Sequence, residues 1–237
     1  MKKDLRITVF SAGWWFYVIL ASLGLIIFTL LFSNTPDSTK LTAIGVLSIV
    51  EFVILIIYKL SLRYIRSNYN FFNELPFYLC NLSTIICIIT AFYPRDYLMG
   101  YCVSCGFLGA LLAFLMPDGP NKNQLFFNPQ AFGFYGYHSL LIITSLSFYT
   151  LNLYEPDNSH IKYIVLIMFL LTLLAHIVNW ILRKTGLNPN SNYIFTYVPD
   201  NPVLNFFHKI IPFRFVYLLL LAGPIAVLCW LEFLILP

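Results

Sequence analysis

IKYIVLIMFLLTLLAHIVNWIL, residues 161–182, is a mostly apolar run of 22 residues. Lys162, near its start, is its only Lys, Arg, Asp or Glu. At about 1.5 Å per residue, a helix of this length crosses a hydrocarbon core of about 30 Å. Lipid offers peptide groups no hydrogen-bond partners, so such a run satisfies its own backbone as a helix. Thr172, His176 and Asn179 break its apolar character at i, i+4, i+7 spacing and so share one face. That face belongs against protein or trapped water, because polar groups in lipid are costly.

The pattern repeats along the chain, giving further spans at 13–33, 41–62, 74–92, 97–116, 131–153 and 213–235. The expected fold is an all-α membrane protein, a single polytopic domain over 1–237 built as a seven-transmembrane-helix bundle. Composition agrees: 59% of the 237 residues are hydrophobic and 10% charged, where soluble domains carry about 25% charged residues. The N-terminal stretch after Lys2, Lys3 and Arg6 is too long for a cleaved signal and lacks a small-residue cleavage site, so it reads as an anchor. Trp14 and Trp15 at its start suit an interfacial belt.

Orientation follows from the basic residues. With a cytoplasmic N-terminus, the inner side receives Lys2, Lys3, Arg6, Lys59, Arg63, Arg66, Lys122, Arg183, Lys184, Lys209 and Arg214, and the outer side only Lys40, Arg95 and Lys162. Positive residues favour the cytoplasmic side, so the C-terminus lies outside. The expected location is the cytoplasmic (bacterial inner) membrane, multi-pass. The formal net charge of +4 is this orientation signal, with no patch arranged for nucleic acid. Two inner loops, 117–130 and 183–212, are long, and 203–211 reads as a short interfacial helix with Leu204, Phe207 and Ile211 on one stripe. No internal repeat supports an inverted-repeat transporter.

The cysteines Cys80, Cys87, Cys102, Cys105 and Cys229 all lie within spans, so no extracellular disulfide framework is expected. Cys102-Val-Ser-Cys105 has redox spacing but reads as packing inside an apolar helix. No ligand set suggests a metal, and no cofactor is expected. In the third span Cys80, Ser83, Thr84 and Cys87 share a face; in the fifth, His138 and Ser145 are one heptad apart, after Gly133 and Gly136. Gly133-x-x-Gly136 reads as a close-packing device. Glu51 lies mid-span in the second and reads as structural glue, paired with a His or a loop Arg.

Cys80 sits about 9 Å and His138 about 10 Å inside the same face, by helix rise. A thiol and an imidazole at one depth are a nucleophile and its base. Asp118, His176 and Asn179 converge on the same end, where Asn179 or His176 would orient the base or stabilise an oxyanion.

Glu74-Leu-Pro-Phe-Tyr-Leu-Cys80-Asn81, Met116-Pro-Asp-Gly119, Phe134-Tyr-Gly-Tyr-His138 and the loop from Asn192-Tyr193 to Pro199 together resemble the bacterial YwaF family, from about residue 40 onward. That family in turn resembles the eukaryotic transmembrane protein 164 family, regarded as Cys- and His-dependent lipid acyltransferases. The resemblance implies Cys80 as nucleophile and His138 as base, with Asn192 and Tyr193 joining Asp118, His176, Asn179 and Glu51 as supporting or substrate-binding residues. It also implies membrane lipid as partner, with acyl-CoA or a phospholipid as acyl donor; on the residues themselves, the inner loops are expected to hold a phosphate headgroup or acyl-CoA near Lys122, Arg183 or Lys184. Many relatives carry His where this chain has Tyr78. Two other classes use the same bundle differently. A transporter or receptor would relay protons through Glu51, His138 and His176, and a structural partner would need only the packing glycines.

Overall fold

The computed structural model describes residues 6–67, 69–117, 124–200 and 202–236. Its helices are α1 (Ala12–Phe32), α2 (Asp37–Ile65), α3 (Leu79–Phe92), α4 (Asp96–Leu115), α5 (129–150), α6 (Ile161–Lys184), α7 (Pro202–Ile210) and α8 (Val216–Ile235). A two-residue strand, Arg6–Ile7, pairs antiparallel with Gln124–Leu125, placing the N-terminal segment and the loop after α4 at one end. The molecule is an all-α multi-pass membrane protein.

Five helices, α1, α2, α4, α6 and α8, are long and apolar enough to cross a bilayer on their own. Each of the seven expected segments contains a helix, yet two of these helices do not qualify by length and apolarity. α3 has 14 residues rather than the nineteen expected from 74–92, so it rises only about 21 Å. Pro76 and the 3₁₀ turn Phe71–Asn73 keep residues 71–78 out of the helix, while Glu74 is held instead by Lys59 and Arg66 at 2.8 Å each. α5 is long enough but polar, and its surroundings explain why. It packs against α1, α2, α3 and α4 together, so most of its surface faces protein, and Ser139, Thr144, Ser145 and Ser147 are buried. A helix ringed by others needs no lipid-compatible face.

Two helices contain a π-turn, Cys102–Gly106 in α4 and Phe132–Gly136 in α5. At Gly133 a Cβ would stand 2.0 Å from the Tyr58 ring, so α2 closes directly on this backbone. Gly136 has open space instead; only one of the pair serves close packing. Trp14, expected at the interface, is buried and donates its indole N–H to the Phe114 carbonyl at 2.9 Å, whereas Trp15 is exposed. The short helix expected at 203–211 is α7; Leu204, with Phe207 and Ile211, packs on Tyr217 and Leu218.

Candidate functional site

Cys80 is the second residue of α3 and is half-buried. Its thiol donates to the Gly109 carbonyl of α4 at 3.5 Å, and a Cβ at Gly109 would lie 3.7 Å from the sulfur. The first turn of a helix presents unpaired N–H groups and the positive end of the dipole, which favour an anion there. Cys80 also forms part of the wall of a groove of about 710 Å³ between α3, α6 and α8. Leu166, Phe169, Leu219 and Ile225 represent its lining, which is almost wholly apolar. From Thr172 to Lys162 the groove follows α6 for about 15 Å by helix rise.

His138 is buried in α5 just beyond its π-turn. Its Nδ1 is 2.7 Å from the Phe134 carbonyl. A carbonyl only accepts, so Nδ1 carries the proton of the neutral ring and Nε2 is the basic nitrogen. Rings of Phe134 and Tyr137 pack against it at 4.5 and 4.8 Å. His138 is not among the residues that line the groove.

A polar chain links the two helices. Thr84, one turn beyond Cys80, donates to Glu51 at 2.5 Å and meets the Tyr137 hydroxyl at 2.8 Å. Thr144 donates to the other Glu51 oxygen at 2.8 Å. Glu51 is fully buried. The expected His or Arg partner is replaced by two threonine hydroxyls, correcting the ion-pair reading. The third-span stripe does face inward: Ser83 meets Tyr101 at 3.0 Å and Cys87 meets Ser145 at 3.7 Å. Tyr137 and Thr144 were missed, although their one-heptad spacing is a signal that could have found them.

The α6 stripe divides between two tasks. Thr172 lines the groove. Asn179 uses both amide protons, on the Tyr193 carbonyl and Thr196 Oγ1 at 2.9 Å each, and its oxygen accepts from Ser191 at 2.6 Å and Tyr193 N–H at 2.9 Å. No donor is left for an oxyanion, so Asn179 pins the loop instead. His176 bonds Thr196 at 3.1 Å and stacks on Tyr197, which turns it toward the same loop. Asn192 and Tyr193, expected to bind substrate, are likewise staples. The Asn192 carbonyl oxygen accepts from Tyr197 N–H and Val198 N–H at 3.1 and 3.2 Å. The Tyr193 hydroxyl donates to the Phe72 carbonyl at 2.5 Å, and burial raises its phenol above the ordinary range. Tyr78 packs edge-on against Tyr193, with Lys59 5.3 Å from its ring, and lines the groove beside Cys80. Asp118 and Lys122 lie outside the described residues.

No group of three His, Cys, Asp or Glu side chains among the described residues is arranged to hold a metal. No curated protein and no solved structure matches the chain. The model of the TMEM164 family matches residues 9–234, from before α1 almost to the end of α8. A match over nearly the whole sequence covers the groove, both π-turns and the polar chain around Glu51, and the protein belongs to the TMEM164 family.

Proposed function

We propose that the protein is a lipid acyltransferase of the cytoplasmic leaflet, with Cys80 as nucleophile and His138 as base, in a seven-pass bundle of the cell membrane. Within the family we read its motif order as that of the bacterial YwaF members. The observation that carries this reading is the thiol of Cys80 in the wall of an apolar groove. A groove of that chemistry accepts an acyl chain and brings its carbonyl end to the sulfur. His138 Nε2 takes the proton of the Cys80 thiol, and the thiolate attacks the carbonyl carbon of a phospholipid or acyl-CoA donor. A carbon–sulfur bond forms, the ester or thioester bond breaks, and the imidazolium of His138 returns the proton to the leaving group. His138 Nε2 then takes the proton of an acceptor hydroxyl, which attacks the thioester and frees Cys80. The helix start at Cys80 supports the thiolate, and the Phe134 carbonyl supports the tautomer that leaves Nε2 basic.

Purified protein given an acyl donor and a lysolipid acceptor should form product, and Cys80→Ala should abolish transfer. An undiminished rate in Cys80→Ala ends this mechanism. A second reading, a proton-coupled transporter or receptor, draws on one observation: the buried carboxyl of Glu51 sits mid-bundle with hydroxyl partners. It predicts vesicle flux that survives Cys80→Ala and is lost in Glu51→Gln.

A further inference from the structure

Beside the groove, two arginines stand against one tyrosine. The guanidinium of Arg183, in the last turn of α6, lies 4.3 Å from the Tyr197 ring centre, and that of Arg214 lies 4.9 Å from it. Arg183 Nε donates to the Ser191 carbonyl at 2.7 Å, which leaves its terminal nitrogens free to point elsewhere. Lys59 and Arg66 provide the contrast, because both share the carboxylate of Glu74. Among the described residues no acid pairs with Arg183 or Arg214. Like charges gathered at one ring repel, and an anion between them relieves that repulsion. A guanidinium stacked on an aromatic face keeps its N–H fork directed outward, in the geometry that suits phosphate.

The backbone places this pair at the groove. Phe215 has φ +63° and ψ −46°, in a tight three-residue turn closed by Val216 N–H on the Arg214 carbonyl at 2.6 Å. A bulky side chain at positive φ is strained, and such strain persists only where the surroundings hold it. Here Phe215 N–H donates to the Thr196 carbonyl at 2.8 Å. Its ring packs against His176 at 5.1 Å and Phe169 at 5.9 Å, and it lines the groove. One residue thus forms the end wall of the apolar channel while its neighbour supplies a cation just outside.

We propose that Arg183, Tyr197 and Arg214 form a phosphate-binding site at the end of the groove, holding the phosphate ester of a ligand whose acyl chain lies along α6. The proposal rests on the groove's reading as an acyl-chain site but not on the chemistry assigned to Cys80. The phosphate belongs either to a lipid headgroup or to a nucleotide carrier such as coenzyme A.

Full-length protein in non-ionic detergent is titrated with lysophosphatidylglycerol and with monoacylglycerol of the same chain, and occupancy is read by native mass spectrometry. The wild type should prefer the phosphate-bearing lipid about tenfold, equivalent to about 1.4 kcal/mol, and added salt should erode that preference. Arg214 is exposed and meets only the ring, so Arg214→Gln should keep the fold, lose most of the preference and bind monoacylglycerol as before. Arg183→Gln/Arg214→Gln should lose the rest. Competition by coenzyme A that needs both arginines keeps the site and assigns the phosphate to a nucleotide carrier. A preference unchanged in the double variant overturns the proposal. Leu219→Trp, which fills the groove, separates the two readings: undiminished monoacylglycerol binding there ends the groove reading while the arginine dependence of coenzyme A binding is still measured.

Discussion

Single residues in this bundle divide by whether their polar atoms are spent on the fold. Asn179 is spent entirely, with four hydrogen bonds to the 191–196 segment. Asn179→Leu orphans buried donors and acceptors at about 1–3 kcal/mol each. It should lower the midpoint of thermal unfolding and speed proteolysis of the 187–200 loop, with activity falling only with the folded fraction. A large rate loss at full folding would return Asn179 to the chemistry. Glu51 offers a second case. Glu51→Gln keeps an acceptor for one threonine and places its amide against the other, whose hydroxyl rotates to accept. Its unfolding midpoint should stay close to wild type, whereas Glu51→Leu strands both hydroxyls and should lower it clearly. The sequence marks Asn179 and His176 as polar on one helical face, but period alone does not say what covers that face. A loop 14 residues downstream takes it, and no local rule of spacing announces that contact.

At the scale of elements, the π-turn of α5 sets how closely α2 approaches. Gly133→Ala would push a methyl group into the Tyr58 ring, and overpacking of this kind costs about 1–3 kcal/mol. Gly136→Ala meets open space and should be neutral or stabilising by up to about 1 kcal/mol through helix propensity. Denaturant or thermal unfolding of the two variants side by side checks the difference; equal destabilisation would contradict it. The helix positions of α1, α2, α4, α6 and α8 are legible from apolar runs because lipid selects for them directly. α3 and α5 are read less well for opposite reasons. Pro76 and the Glu74 ion pairs shorten the first, and the buried setting of the second removes the need for apolar surface. The thiol stripe from Cys80 to Cys87 is legible because a 3.6 period survives in any setting. Its partners Tyr137 and Thr144 belong to another helix, whose rotation only packing fixes.

For the whole molecule, the pairing of Arg6–Ile7 with Gln124–Leu125 ties two distant segments to one face of the membrane. With the seven crossings of the proposed function, the loop before α6 lies on the other face. Cysteines introduced as Thr8→Cys and Phe127→Cys should react with an impermeant thiol reagent from the same side, and Asn158→Cys from the opposite side. Labelling of all three from one side would exclude an odd number of crossings between Phe127 and Asn158. The basic residues predict which side is cytoplasmic, and inverted vesicles decide it. The groove reaches along α6 between α3 and α8, so in the proposed function an acyl chain lies within the depth of the bilayer and the reacting carbonyl near Cys80. Incubating the protein with donor and no acceptor, then measuring intact and peptide mass, tests this most directly. One acyl group is expected on Cys80, released by hydroxylamine, cleared on adding acceptor and absent from Cys80→Ala. Product formation with no adduct at Cys80, or an adduct carried by another residue, would contradict it.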